Sequence, residues 1–109
     1  MKSQLFMGVD IGTSGVRAAV FNREGYQISL FHKEYPMICT EQGMAELVPE
    51  TVFESLLEVV SCCINNQAEG SREIEAIGFS TQMHSLLAVD KDGKCLTNVL
   101  TWADIRPKL

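Results

Sequence analysis

The sequence predicts an α/β fold: a mixed sheet whose first three strands run antiparallel, one long helix, and a C-terminal hairpin. Three observations predict it. Short apolar runs separated by glycine-bearing turns fill residues 4–35, apolar residues then recur at three- and four-residue steps after Pro49, and a further apolar run, "EIEAIGFS", follows that segment. A strand reached through a helical crossover lies parallel to its sheet neighbour, which makes the sheet mixed.

Gln4 to Asp10 and Val16 to Asn22 are rich in Val, Phe and Ala and are joined by Ile11-Gly12-Thr13-Ser14-Gly15, a hairpin connection. "NREGY" supplies a second turn, and Gln27 to Tyr35 a third strand that ends before Pro36. Met37 to Leu47, with weak periodicity and a central Gly43, reads as an extended surface connection. Phe53, Leu56, Leu57, Val60, Cys63 and Ile64 then form one apolar helical stripe, with Pro49 at the first helical position, Glu50 at the positive end of the dipole and Gly70 as the stop. Glu73 to Ser80 is the parallel strand. Leu86 to Val89 and Cys95 to Leu100 flank "DKDGK", whose Asp92-Gly93 pair marks a tight turn.

At 109 residues the chain is one domain or a piece of one, and its 46% hydrophobic content is that of a folded globular protein. The net charge of -5 and the scattered Lys and Arg offer no basic stripe to a nucleic acid. No apolar run approaches the roughly 18 residues of a membrane span, and no signal-peptide pattern opens the chain, so a cytoplasmic protein is expected. Cys39, Cys62, Cys63 and Cys95 lack CxxC spacing and read as reduced, inert thiols. The chain stops at Leu109 in a polar, aromatic-bearing segment, which suggests a truncation.

Three stations carry chemistry. In "DIGTSG" a strand ends in Asp10 and turns through Gly12, so backbone N–H groups of one tight loop can face a phosphate, with the Thr13 and Ser14 hydroxyls as further donors. An acid beside phosphates is tolerated when Mg²⁺ or its waters lie between. A plain hairpin is the alternative. "STQMHS", Ser80 to Ser85, follows the parallel strand at its carboxyl end, where ligands gather in α/β sheets. Gln82, Met83 and His84 could there present polar edges and an apolar floor to a polyol, although a lone histidine is more often structural. "TWADIRP" places Trp102, Asp104 and Arg106 at two-residue steps, suited to a sugar site or, equally, to a packing Trp beside a solvated ion pair.

Taken together, "GVDIGTSGVRAAVFN", "GYQISLFHKEYP", "PETVFESLLEVV", "IEAIGFSTQMHSLLAVDKDGKCL" and "TWADIRP" resemble the N-terminal part of the FGGY carbohydrate kinases over nearly the whole chain. A DxGT turn alone also suits actins, chaperone ATPases and hexokinases, which share a ribonuclease H-like core. The second and third stations narrow the resemblance to FGGY enzymes. "MHSLLAVD" with "TWADIR" is most similar to gluconokinases, whereas Gln82 leans toward xylulokinases.

The resemblance implies a ribonuclease H-like (actin-like ATPase) subdomain, residues 1–109 being the first portion of kinase domain I. It implies transfer of a phosphoryl group from ATP, with Mg²⁺, to a sugar acid or ketose, gluconate foremost and xylulose or another polyol next. On matching positions, Asp10 organises the metal, Thr13, Ser14 and Gly15 hold nucleotide phosphates, and Arg17 assists in neutralising charge. Gln82, Met83 and His84 line the sugar pocket, and Trp102, Asp104 and Arg106 complete or brace it. The general-base aspartate of the family is expected beyond Leu109, with the adenosine pocket in the second domain, so this piece alone is expected to be inactive. Expected partners are a small-molecule sugar and a nucleotide, without nucleic acid or membrane. An exposed apolar face leaves a homodimer open. A non-catalytic ligand-binding regulator built from the same half is the alternative from another class.

Overall fold

The computed structural model describes residues 3–66 and 72–108. Strands β1 (Ser3–Ile11), β2 (Gly15–Asn22) and β3 (Gln27–Glu34) form an antiparallel meander. After helix α1 (Pro49–Asn65), strand β5 (Arg72–Thr81) returns parallel to β1, giving the sheet order β3-β2-β1-β5. Both the antiparallel start and the parallel crossover match the expectation from sequence.

Alternation along the strands sorts the two faces. Leu5, Met7 and Val9 of β1 and Val16, Ala18 and Val20 of β2 are buried under α1, together with Tyr35, Leu47, Val59 and Cys63. Phe6, Gly8 and Asp10 lie on the opposite face, beside Phe21, Ala19 and Arg17 of β2. The β1 and β5 registers shift between Leu5 and Phe6, so Leu5 faces Ile74 while Phe6 faces Ala76 and Glu75 is left over as a bulge. From there Asp10 runs beside Ser80 and Ile11 beside Thr81.

Helix α1 begins as read, with Pro49 in its first turn and Glu50 as the acid there. Half of the apolar stripe read from the sequence packs on the core, Cys63 fully and Leu56 and Val60 in part. Ser55, Val59 and Cys63 are the buried positions, whereas Phe53, Leu57 and Ile64 are at least half exposed. The helix packs on β2 and β3, a narrow contact that small side chains fill, and Cys63 donates its S–H to the Ala18 carbonyl at 3.2 Å. Burial pushes the Cys63 thiol pKa up. The helix ends at Asn65, with the Asn66 N–H bonded back to the Cys62 carbonyl at 3.1 Å. Gly70, read as the stop, lies outside the described residues.

The connection after β3 is more ordered than an extended loop. It contains β4 (Glu46–Leu47), which pairs antiparallel with β6 (Val99–Leu100), and Ile38 bridges to Glu46. Conversely, the C-terminal hairpin holds fewer ladder bonds than two full strands would. It is closed by the Val89–Cys95 and Leu86–Leu100 bridges, and β6 pairs with β4 along its other edge. Its turn forms as expected: Asp90 Oδ1 accepts from the Asp92 and Lys94 amides at 2.9 Å each, and Gly93 takes φ +82°, a conformation favoured by glycine. A short 3₁₀ turn, Arg106–Lys108, closes the described chain. Among the described residues no helix is long and apolar enough to cross a membrane.

Candidate active site

The β1–β2 turn is compact: the Gly12 N–H donates to the Gly15 carbonyl at 2.9 Å. Gly15 sits where β2 meets the end of β3, and a Cβ there would lie 2.6 Å from the Lys33 carbonyl oxygen. No other residue fits without displacing backbone. Asp10, at the head of the turn, is exposed on the open sheet face with Arg17 as its cross-strand neighbour. Asp10, Gly12, Ser14, Gly15 and Arg17 line a cleft of about 250 Å³ together with His32, Lys33 and Glu34 of β3.

The second station reaches the same turn from β5. The Gln82 N–H continues the ladder by donating to the Ile11 carbonyl at 2.9 Å. The Gln82 side-chain amide donates to the Gly12 carbonyl at 3.2 Å, and its carbonyl oxygen accepts from Ser85 Oγ at 2.8 Å and from Thr13 Oγ1 at 3.4 Å. Gln82 therefore spends its polar atoms on the turn. Met83 and His84 are exposed, and His84 holds φ +58°, a left-handed backbone rare outside glycine.

The third station arrives through β6. Thr101, buried, donates from its hydroxyl to the Ala45 carbonyl at 2.9 Å, and the Ile105 N–H donates to Gly43 at 2.8 Å. This anchorage brings Trp102, 60% exposed, to the turn, where its indole N–H donates to Thr13 Oγ1 at 2.8 Å. Asp10, Gly12, Thr13, Thr81, Gln82, Met83, His84 and Trp102 line a second cleft of about 460 Å³.

Asp104 and Arg106 are engaged elsewhere. The Asp104 carboxylate, 2% exposed, accepts from the Ala45 N–H at 3.1 Å and from Arg106 Nη2 at 2.6 Å, and Arg106 also pairs with Glu46. The guanidinium holds the Asp104 carboxyl down to about 2 and lowers that of Glu46, while the two carboxylates raise the Arg106 pKa. This cluster ties residues 104–106 to β4 and so sets where Trp102 stands.

Sequence reasoning missed Tyr35. Tyr35 is buried, its hydroxyl donates to the Gly12 carbonyl, and burial followed by the nearby Asp10 charge pushes its phenol pKa up. Nothing local to "EYP" signals that contact, which joins residues 23 positions apart.

An acid-headed β-hairpin turn, backed by a third antiparallel strand and a parallel strand from a helical crossover, defines a domain of the actin-like ATPase fold. Residues 5–108 match the family described as "FGGY family of carbohydrate kinases, N-terminal domain", and the chain belongs to that family. It is 33% identical over 100 residues to a gluconokinase and 31% identical over 100 residues to a xylulose kinase, both of Bacillus subtilis, covering 92% of this chain in each case. A crystal structure of gluconate kinase from Lactobacillus acidophilus superposes with a TM-score of 0.91 at 32% identity, over 98% of this chain and 21% of that one. The chain thus spans about a fifth of the length of the curated relatives it matches, at 20% of the xylulose kinase and 19% of the gluconokinase.

Proposed function

We propose that this chain supplies half of the active site of a kinase that transfers the terminal phosphoryl group of ATP to a sugar or sugar acid, with gluconate the foremost acceptor. The observation that carries this reading is the position of Asp10, a shared wall of the cleft holding Gly12, Ser14, Gly15 and Arg17 and of the cleft holding Gln82, Met83, His84 and Trp102. Phosphate donors and a polyol-sized hollow meet at one carboxylate. Phosphoryl transfer depends chiefly on positioning and on neutralising charge, and these are the tasks that such a junction can perform.

The Thr13 and Gly15 amides and the Ser14 amide and hydroxyl would serve as donors to nucleotide phosphates, and Arg17 would add a cation on the same wall, whereas the Thr13 hydroxyl is engaged by Trp102 and Gln82. Asp10 fits Mg²⁺. Its carboxylate is accessible, and Mg²⁺ is commonly held by one or two carboxylates plus phosphates and water rather than by an all-protein cage. When bound, the ion would offset phosphate charge. Met83, His84 and the Trp102 indole would cover the acceptor, with Asp104 and Arg106 bracing Trp102 rather than touching sugar. We place the general base, the adenosine pocket and the rest of the first domain in a longer kinase polypeptide. Four cysteine thiols without a disulfide suit a cytoplasmic enzyme.

Xylulose is the second reading, favoured by Gln82 and by the xylulose kinase relative. A screen of the full-length kinase against gluconate, xylulose, ribulose and glycerol separates them, with gluconate expected to give the highest kcat/KM. Asp10→Asn should then lower kcat by about 100-fold or more, on the order of losing one preorganised electrostatic group, with an unchanged circular dichroism spectrum. Phosphorylation of none of the four, or near-normal turnover in Asp10→Asn, would sink the reading.

A further inference from the structure

The turn between β1 and β2 carries glycines at both ends, so its backbone has wide freedom that must be removed before its amides can face a ligand. One residue outside the turn contributes two restraints. Tyr35 donates its hydroxyl to the Gly12 carbonyl and its backbone N–H to the Ser14 carbonyl, the latter at 3.1 Å. Gln82 grips the same Gly12 carbonyl from the side of β5 at 3.2 Å.

The consequence follows from peptide geometry. In a trans peptide the carbonyl and the following N–H point in opposite directions, and the described chain has no cis bond. Drawing the Gly12 carbonyl toward Tyr35 and Gln82 therefore turns the Thr13 N–H away from them. Drawing the Ser14 carbonyl toward Tyr35 does the same for the Gly15 N–H.

Resting on the phosphotransfer reading above, we infer that Tyr35 is a positioning residue of the phosphate-binding turn, holding two of its carbonyls inward so that the intervening amides face the nucleotide. Tyr35 is suited to hold still. Only 5% of its surface is exposed, it packs in the main apolar cluster, and Pro36 restricts the backbone beside it. Burial and the Asp10 charge disfavour its phenolate, so the hydroxyl stays a donor at neutral pH.

Tyr35→Phe in the full-length kinase keeps the ring and the backbone N–H and removes only the hydroxyl. Loss of one buried hydrogen bond should speed exchange of the Gly12 amide about tenfold and raise the KM for ATP by a similar factor, leaving the sugar KM within about twofold. Amides in the middle of β2 should keep their protection. Unchanged Gly12 exchange would overturn the clamp, and so would a parallel rise of both KM values, which is what general loosening gives. A wild-type kinase that phosphorylates no sugar would defeat the functional reading instead, and Gly12 exchange would still decide whether Tyr35 holds the turn.

Discussion

Asp104 shows how one side chain can look like a ligand group in sequence and act as a fastener in the fold. Its carboxylate is almost wholly covered and takes donors from Ala45 and Arg106, which leaves it no face toward the cleft of Trp102. Its depressed pKa has a pH consequence with a definite sign. A carboxyl that titrates near 3.9 when unfolded and about 2 when folded stabilises the fold above pH ~4, and that stability is lost as pH falls toward 2. Glu46, lowered by the same Arg106, adds in the same direction. Urea midpoints measured from pH 6 down to about 2 should fall more steeply for wild type than for Asp104→Asn, which keeps the shape and drops the charge. Equal acid slopes would show that the pair does not stabilise the fold. His84 is the opposite case. Its residue type pointed to the site, but its left-handed backbone is fixed by the path of residues 82–86 and has no local sequence mark.

Helix α1 was legible in its start and poorly legible in its orientation. Proline and glutamate mark the first turn without reference to anything else in the chain. The buried face depends on what the helix meets, and both Phe53–Leu57–Ile64 and Val52–Leu56–Val59–Cys63 are apolar rows at helical spacing. The row with smaller residues went inward because α1 rests closely on β2 and β3, where Ala18 leaves room for Cys63. Val59→Ala should therefore cost about 2 kcal/mol through two lost methyl groups and the cavity left behind. Phe53→Ser, despite removing a larger apolar group, should cost about 0.5 kcal/mol or less in this chain. Chemical denaturation of both variants decides between the two rows, and a larger loss for Phe53→Ser would return Phe53, Leu57 and Ile64 to the buried face. The strands were easier. Period-two alternation and the glycine turns fixed the meander, whereas β4 and β6, two residues each, exist only because Glu46–Leu47 and Val99–Leu100 happen to meet.

The chain as a whole is elongated, with extents of 58 × 29 × 18 Å and a radius of gyration of 16.8 Å, against roughly 13 Å for a compact domain of this length. One end is the four-stranded sheet with α1. The other is the β4–β6 ladder with the hairpin and the Arg106 cluster. They meet at the β1–β2 turn, where Gln82 and Trp102 both bond to it, and through Leu47 and Val99, which pack on the main apolar cluster, so the site lies at the junction of the two parts. The three stations were each visible in sequence, but their convergence on Gly12 and Thr13 was not, since the bonds that produce it span 70 and 89 residues.

The bulge at Glu75 gives that joint a tolerance. Every pair from Phe6–Ala76 to Ile11–Thr81 is counted from the site side of the bulge, and Leu5–Ile74 from the far side. The bulge holds one residue of slack at Glu75, ahead of every pair that leads to Gln82. Deleting Glu75 should accordingly leave Gln82 seated on Ile11, with Tm lowered but sugar and ATP KM values kept. Deleting Glu75 and Gly78 together removes one residue more than the bulge holds and should pull Gln82 back by one strand residue, about 3.3 Å, with loss of activity. The strand thus behaves as a length compensator, isolating the Gln82 end from variation in the crossover that feeds it.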